Sequence, residues 1–167
     1  MDARNRPGAA GMAGQTHVER VSERELVVRR VFDAPVHLVF QAWSQADLFR
    51  KWWMPASVGI NLLSCEMDVR TGGKYRLEFG TDHDNSMSFY GKYLDVVPNA
   101  RIVWTNDEGE EGSVTTVTFA EVAGKTELVL RDVYPFKEAL DEAMASGSVS
   151  GYPEQFTQLD SMLAAAA

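Results

Sequence analysis

Three histidines, one cysteine and scattered carboxylates are the reactive side chains of this sequence. His83 stands between Asp82 and Asp84, a spacing that could be drawn as a metal loop. It falls, however, in the polar run 81–86 between two strand-like segments, and no second ligand cluster accompanies it. His17 lies near the N-terminus and His37 in the first turn of a helix, where a solvated imidazole is the natural reading. Cys65 is alone, which rules out an intramolecular disulfide and a cysteine zinc site, and within INLLSCEMDV it reads as a small buried hydrophobe. Glu66 and Asp68 share one strand face two residues apart, as an acid–base pair would and as a solvent face equally would. Glu108, Glu110 and Glu111 form a tight acidic tip that reads as solvated surface. No Ser-His-acid order, Gly-rich phosphate loop or His-x-Glu zinc motif is present, and Gly72-Gly73 opens a turn with no helix after it. No catalytic residue is assigned, no metal or cofactor is expected, and the balance leans against an enzyme.

The aromatic residues are the other group with something to offer a ligand. Trp52, Trp53, Tyr75, Phe79, Phe89, Tyr93, Trp104, Phe119, Tyr152 and Phe156 are spread along most of the sequence. Any one of them reads more readily as core, because aromatics dominate ordinary cores too. Together they exceed what a small core fills easily. Tyr75, Tyr93 and Tyr152 add phenolic donors of the kind a pocket uses to orient a ligand. If chemistry were done, these tyrosines and Arg76 are the acid–base or oxyanion groups at hand.

Such residues need elements to place them. A sequence of 167 residues, 45% apolar and 24% charged, suits one globular domain. A net charge of −8 argues against nucleic acid and against an anionic membrane, since both require concentrated Lys and Arg. No segment is long and apolar enough to span a bilayer, and the N-terminus lacks the apolar run of a signal peptide, so a cytoplasmic location is expected. Residues 1–21 read as an N-terminal tail and 22–167 as a single domain.

The spacing predicts a strand over 25–33, then two short helices over 35–43 and 46–52. Pro35 is placed in the first helical turn and Asp33 as its cap. Strands follow at about 60–70, 74–80, 87–97, 101–106, 113–121 and 126–133. In KYRLEFG, Tyr75, Leu77 and Phe79 alternate with Lys74, Arg76 and Glu78, which sets one apolar face. Across 88–96 neither phase is purely apolar, which predicts a bulge. The C-terminal segment is helical, with Tyr152, Phe156, Leu159 and Leu163 on one stripe and an interruption around residues 146–151. That helix is the one element long enough to cover the sheet.

With these pieces in order, the sequence resembles the START-like, birch-pollen-allergen-like (SRPBCC) superfamily. Within it, the resemblance is to the group related to the C-terminal domain of the heat-shock-protein-90 ATPase activator. It is carried by RVFDAP at 30–35, VFQAW at 39–43, Leu48 with KWW at 51–53 and Pro55, and EMDVR at 66–70 leading to GGKY at 72–75. It continues through GKYLDVVP at 91–98, RIVWT at 101–105, VTF at 117–119, TEL at 126–128 and the helix over 151–163. The resemblance implies an α+β helix-grip fold. A curved antiparallel sheet of about six to seven strands wraps a long C-terminal helix, with two short helices after strand one. It also implies a cavity between sheet and helix for a hydrophobic or aromatic small molecule. The residues placed at that cavity are Trp52, Trp53, Tyr75, Leu77, Phe79, Phe89, Tyr93, Trp104, Phe119, Leu130, Tyr152, Phe156 and Leu159. Two alternatives come with the family: a chaperone-ATPase co-regulator, and a polyketide-cyclase-like enzyme. No counterpart of the activator's separate N-terminal domain is found here, which counts against the first. Pro153 departs from the proline-free helix usual in the family.

Overall fold

The alternating strands assemble into one antiparallel sheet. The computed structural model describes residues 15–107, 112–146, 149 and 151–166. Its strands are β1 (His17–Arg20), β2 (Glu25–Phe32), β3 (Asn61–Met67), β4 (Lys74–Asp82), β5 (Asn85–Val97), β6 (Arg101–Thr105), β7 (Val114–Val122) and β8 (Lys125–Val133). Their order across the sheet is β1-β2-β8-β7-β6-β5-β4-β3. Helices α1 (Val36–Ser44) and α2 (Ala46–Phe49) follow β2, and α3 (Lys137–Ala145) and α4 (Tyr152–Ala166) follow β8. The eight strands exceed the expected count, and β1 accounts for the difference. It lies within the stretch read as a tail, and pairs with β2 from His17↔Arg29 to Arg20↔Leu26.

Turn chemistry fixes the register. Val122 pairs with Lys125, so Ala123 (φ 53°) and Gly124 (φ 80°) form a two-residue turn with both residues left-handed. That geometry matches the twist of the strands it joins. The bulge expected in β5 falls between Tyr93 and Asp95. There the strand changes partners: Asn85 to Lys92 are paired with β4, and Tyr93 to Val97 with β6. A strand shared in this way bends the sheet around whatever its inner face holds. Gly91 sits at the bend, where a Cβ would stand 2.0 Å from the Thr105 carbonyl oxygen.

Pro35 itself is the N-cap of α1, in extended conformation, and no side chain caps the helix, so Asp33 does not do so. The Ala34 carbonyl instead accepts from Thr126 Oγ1 at 2.8 Å, which ties the helix start to β8. The C-terminal region breaks into α3 and α4 as the Ser/Gly-rich sequence predicts. Pro153 is the second residue of α4, where a missing N–H costs no helical bond. Phe156, Leu159 and Leu163 are buried in the core with Leu26, Val28, Phe32, Leu128 and Leu130. Polar groups then clasp α4 to the segment after α2. Gln158 Nε2 donates to the Trp52 and Met54 carbonyls at 2.9 and 2.8 Å, and its Oε1 accepts from the Ala56 N–H at 2.7 Å. Buried Arg30 of β2 also reaches α4, with its guanidinium 3.4 Å from Asp160.

Candidate functional site

A small cavity lies where α1, α2 and the residues after them cross the β3–β6 half of the sheet. Inward alternation supplies one wall: Met67 from β3, Tyr75 and Leu77 from β4, Phe89 and Tyr93 from β5, and Ile102 and Trp104 from β6. Trp43, Phe49 and Trp53 supply the other, and Asn106 completes the lining. The cavity measures about 50 Å³, room for a water or two. The opposing rings pack in edge and stacked geometries: Phe49 on Trp53 at 4.8 Å, Trp43 against Trp53 and against Trp104, both at 6.0 Å. At the rim Phe89 is 38% exposed and Met87, outside the lining, 59% exposed, with Phe79 packed edge-on to Phe89 at 5.0 Å.

None of the lining side chains is an acid, a base or a histidine. The polar atoms are few. Tyr75 donates its hydroxyl to the Thr105 carbonyl at 2.6 Å, and Asn106 Nδ2 donates to Ser113 Oγ at 2.9 Å. The Trp43 indole N–H is buried and has no hydrogen-bond partner among the described residues. Burial pushes the Tyr93 phenol well above its ordinary range, so it remains a neutral hydroxyl. Cys65, packed against this core, is likewise pushed up by burial, to about 11, and stays a thiol.

Trp53, Tyr75, Leu77, Phe89, Tyr93 and Trp104 of the sequence-expected set meet at this cavity. The other members lie elsewhere. Trp52 is fully buried and donates its N–H to the Ala42 carbonyl at 2.9 Å. Phe79 stands behind Phe89, and Phe119 packs on Phe40 at 5.4 Å. Leu130, Phe156 and Leu159 are fully buried core. Tyr152 donates its hydroxyl to Asp132 Oδ2 at 2.9 Å. This cavity lies under the α1–α2 segment and takes no lining residue from α4, whereas the resemblance implied one between the sheet and the C-terminal helix. Sequence reasoning also left out Trp43, Phe49, Met67, Ile102 and Asn106. Trp43 was visible at helical spacing after Val36, Val39 and Phe40, yet spacing alone marks a core face without saying what lies on its far side.

The remaining candidates are dispersed. His83 contacts Glu78 at 3.3 Å, Asp68 pairs with Arg70 at 2.9 Å, and Glu66 is exposed. Arg76 points to the outer face, where it donates to Ser88 Oγ at 2.8 Å. Glu108, Glu110 and Glu111 lie outside the described residues. Among the described residues no three His, Cys, Asp or Glu are grouped to hold a metal ion, and no helix is long and apolar enough to cross a membrane. A separate buried cluster centres on Asp132, 4% exposed. Its Oδ1 accepts from Thr115 at 2.5 Å and its Oδ2 from Tyr152. Burial raises its pKa, and the two hydrogen bonds oppose that shift.

A family model described as "Activator of Hsp90 ATPase homolog 1-like protein" matches residues 33–164. No curated protein matches the chain. Among solved structures, one from Rhodobacter sphaeroides superposes with a TM-score of 0.83 at 24% identity, covering 92% of this chain and 100% of its own. A Nitrosomonas europaea protein gives 0.77 at 20% identity, with 88% and 98% covered. A Mycobacterium smegmatis protein gives 0.77 at 23%, with 89% and 96% covered. At these identities the structures speak for the fold, which is the helix-grip arrangement of one curved sheet around a C-terminal helix.

Proposed function

The chain belongs to the activator of Hsp90 ATPase homolog 1-like family, and on that footing we propose that it binds a neutral aromatic or otherwise apolar small molecule in the cavity beneath α1 and α2. The observation that carries this reading is the lining itself: large rings and aliphatic side chains without one ionisable carboxylate or cation. An anionic ligand would enter without a counter-charge, a costly burial. Two donors are left for an uncharged acceptor, the Trp43 N–H and the Tyr93 hydroxyl. Ligand pockets usually enclose about 300–1,000 Å³, so the cavity of about 50 Å³ must widen to admit such a ligand. Phe89 and Met87 are the exposed apolar side chains at its rim.

Titration of neutral aromatic compounds against tryptophan fluorescence tests the reading. Saturable quenching is expected, reduced in Trp104→Phe, and recovered compound should be chemically unchanged. Absence of any response up to the solubility limit would sink it. The family's name supports a second reading, a contact with a chaperone ATPase. Stimulation of such an ATPase by a chain that binds none of the compounds would favour it.

A further inference from the structure

On the opposite side of the sheet from the aromatic cavity, the outer face of β3–β5 carries an open groove of about 670 Å³. It is lined by Glu66, Lys74, Tyr75, Arg76, Tyr90, Gly91, Lys92 and Asp107, all eight named because the charge balance depends on each. The register puts Lys74 directly across from Lys92, and Arg76 across from Tyr90. Like charges directly opposed on a sheet destabilise it. Neither lysine nor Arg76 makes an ion pair within 4 Å among the described residues, although Arg20, Arg30, Arg70, Arg101, Arg131 and Lys137 each do. In a sequence of net charge −8, an unpaired group of three cations facing one hollow is an arrangement that an anion would relieve.

The rest of the groove narrows the class of anion. The Tyr90 ring is 44% exposed on the same face and offers a stacking surface. Glu66, across from Arg76, and Asp107, whose N–H bonds the Tyr90 carbonyl at 2.8 Å, place two carboxylates at the edges as acceptors. Among the described lining residues, three cations face two carboxylates. We propose that this groove binds a small phosphorylated ligand carrying an aromatic ring and hydroxyl groups. Its phosphate lies between Lys74 and Lys92, its ring on Tyr90, and its hydroxyls donate to Glu66 or Asp107. This site has Tyr75 in common with the apolar cavity and otherwise uses the opposite chemistry.

Amide chemical shifts of the full chain, titrated with adenosine monophosphate, inorganic phosphate and adenosine, provide the test. Adenosine monophosphate should shift the signals of residues 74–76 and 90–92 in a saturable way and bind at least tenfold more tightly than either fragment. The Trp104 signals of the inner cavity should stay in place. In the double variant Lys74→Gln/Lys92→Gln, both substituted positions being exposed, the affinity should fall at least tenfold with a melting temperature no lower than that of the parent chain. Retention of wild-type affinity in that variant would overturn the proposal, as would shifts confined to other surfaces or no shift at millimolar ligand. Phosphatidylglycerol vesicles separate a lipid headgroup from a soluble phosphate, and binding to vesicles alone would also overturn it.

Discussion

Asp132 is a carboxylate in the core with hydroxyl partners and, among the described residues, no ion-pair partner. Burial raises its folded pKa above the unfolded value of about 3.9. The sign follows from proton binding. The folded state holds the proton more tightly, so the stabilisation is complete below about pH 4 and is lost as pH rises through the raised value. Asp132→Asn keeps an acceptor for Thr115 and cannot ionise. Its stability, measured by urea unfolding from pH 4 to 8, should therefore fall less with rising pH than that of the parent chain. Parallel curves would refute the assignment. Phe156 makes the complementary point. It is fully buried, lies outside the cavity lining, and packs edge-on to Phe32 at 5.7 Å and Trp43 at 6.1 Å. Phe156→Ala should cost about 3–5 kcal/mol in urea unfolding, the range for a large ring removed from a tight core. A loss below about 0.5 kcal/mol would mean that the stripe faces elsewhere. The burial of Phe156 could be read from spacing. The partner of Tyr152 could not, because Asp132 and the start of α4 meet only through the break between α3 and α4.

At the scale of elements, alternation and spacing located most of the sheet and both helix pairs, including the β5 bulge and the α3–α4 interruption. The miss was β1. Its four residues, HVER, are mostly exposed, so no buried face marks them as a strand. What makes them one is the neighbouring edge of β2, a long-range condition invisible in a local window. A chain beginning at Val21 should therefore be less stable than one beginning at Gln15, by roughly 1 kcal/mol or more. The thermal midpoint should then drop by about 2–4 °C or more. Equal midpoints would show that β1 contributes nothing. The cavity wall was half legible for a similar reason. Strand alternation assigns Tyr75, Leu77 and Trp104 to the inner face, but which helix covers them depends on how the sheet bends at Gly91 and Tyr93. The α4 stripe covers the β2–β8 side and leaves the β3–β6 side to Trp43, Phe49 and Trp53.

For the whole molecule, the pairing of β2 with β8 sets an order of events in time. Glu25 pairs with Val133 and Phe32 with Thr126. During synthesis the apolar strand ELVVRRVF emerges early and finds its main partner only after β8 has been made. The meander from β3 to β8 pairs neighbours in sequence and can zip up locally. Closing β8 onto β2 is a non-local step that bears its loop-closure entropy before any contact repays it, and such steps fold slowly. The interval between the emergence of β2 and its capture by β8 is when this chain is most open to aggregation, and a chaperone that shields an extended apolar strand would act there.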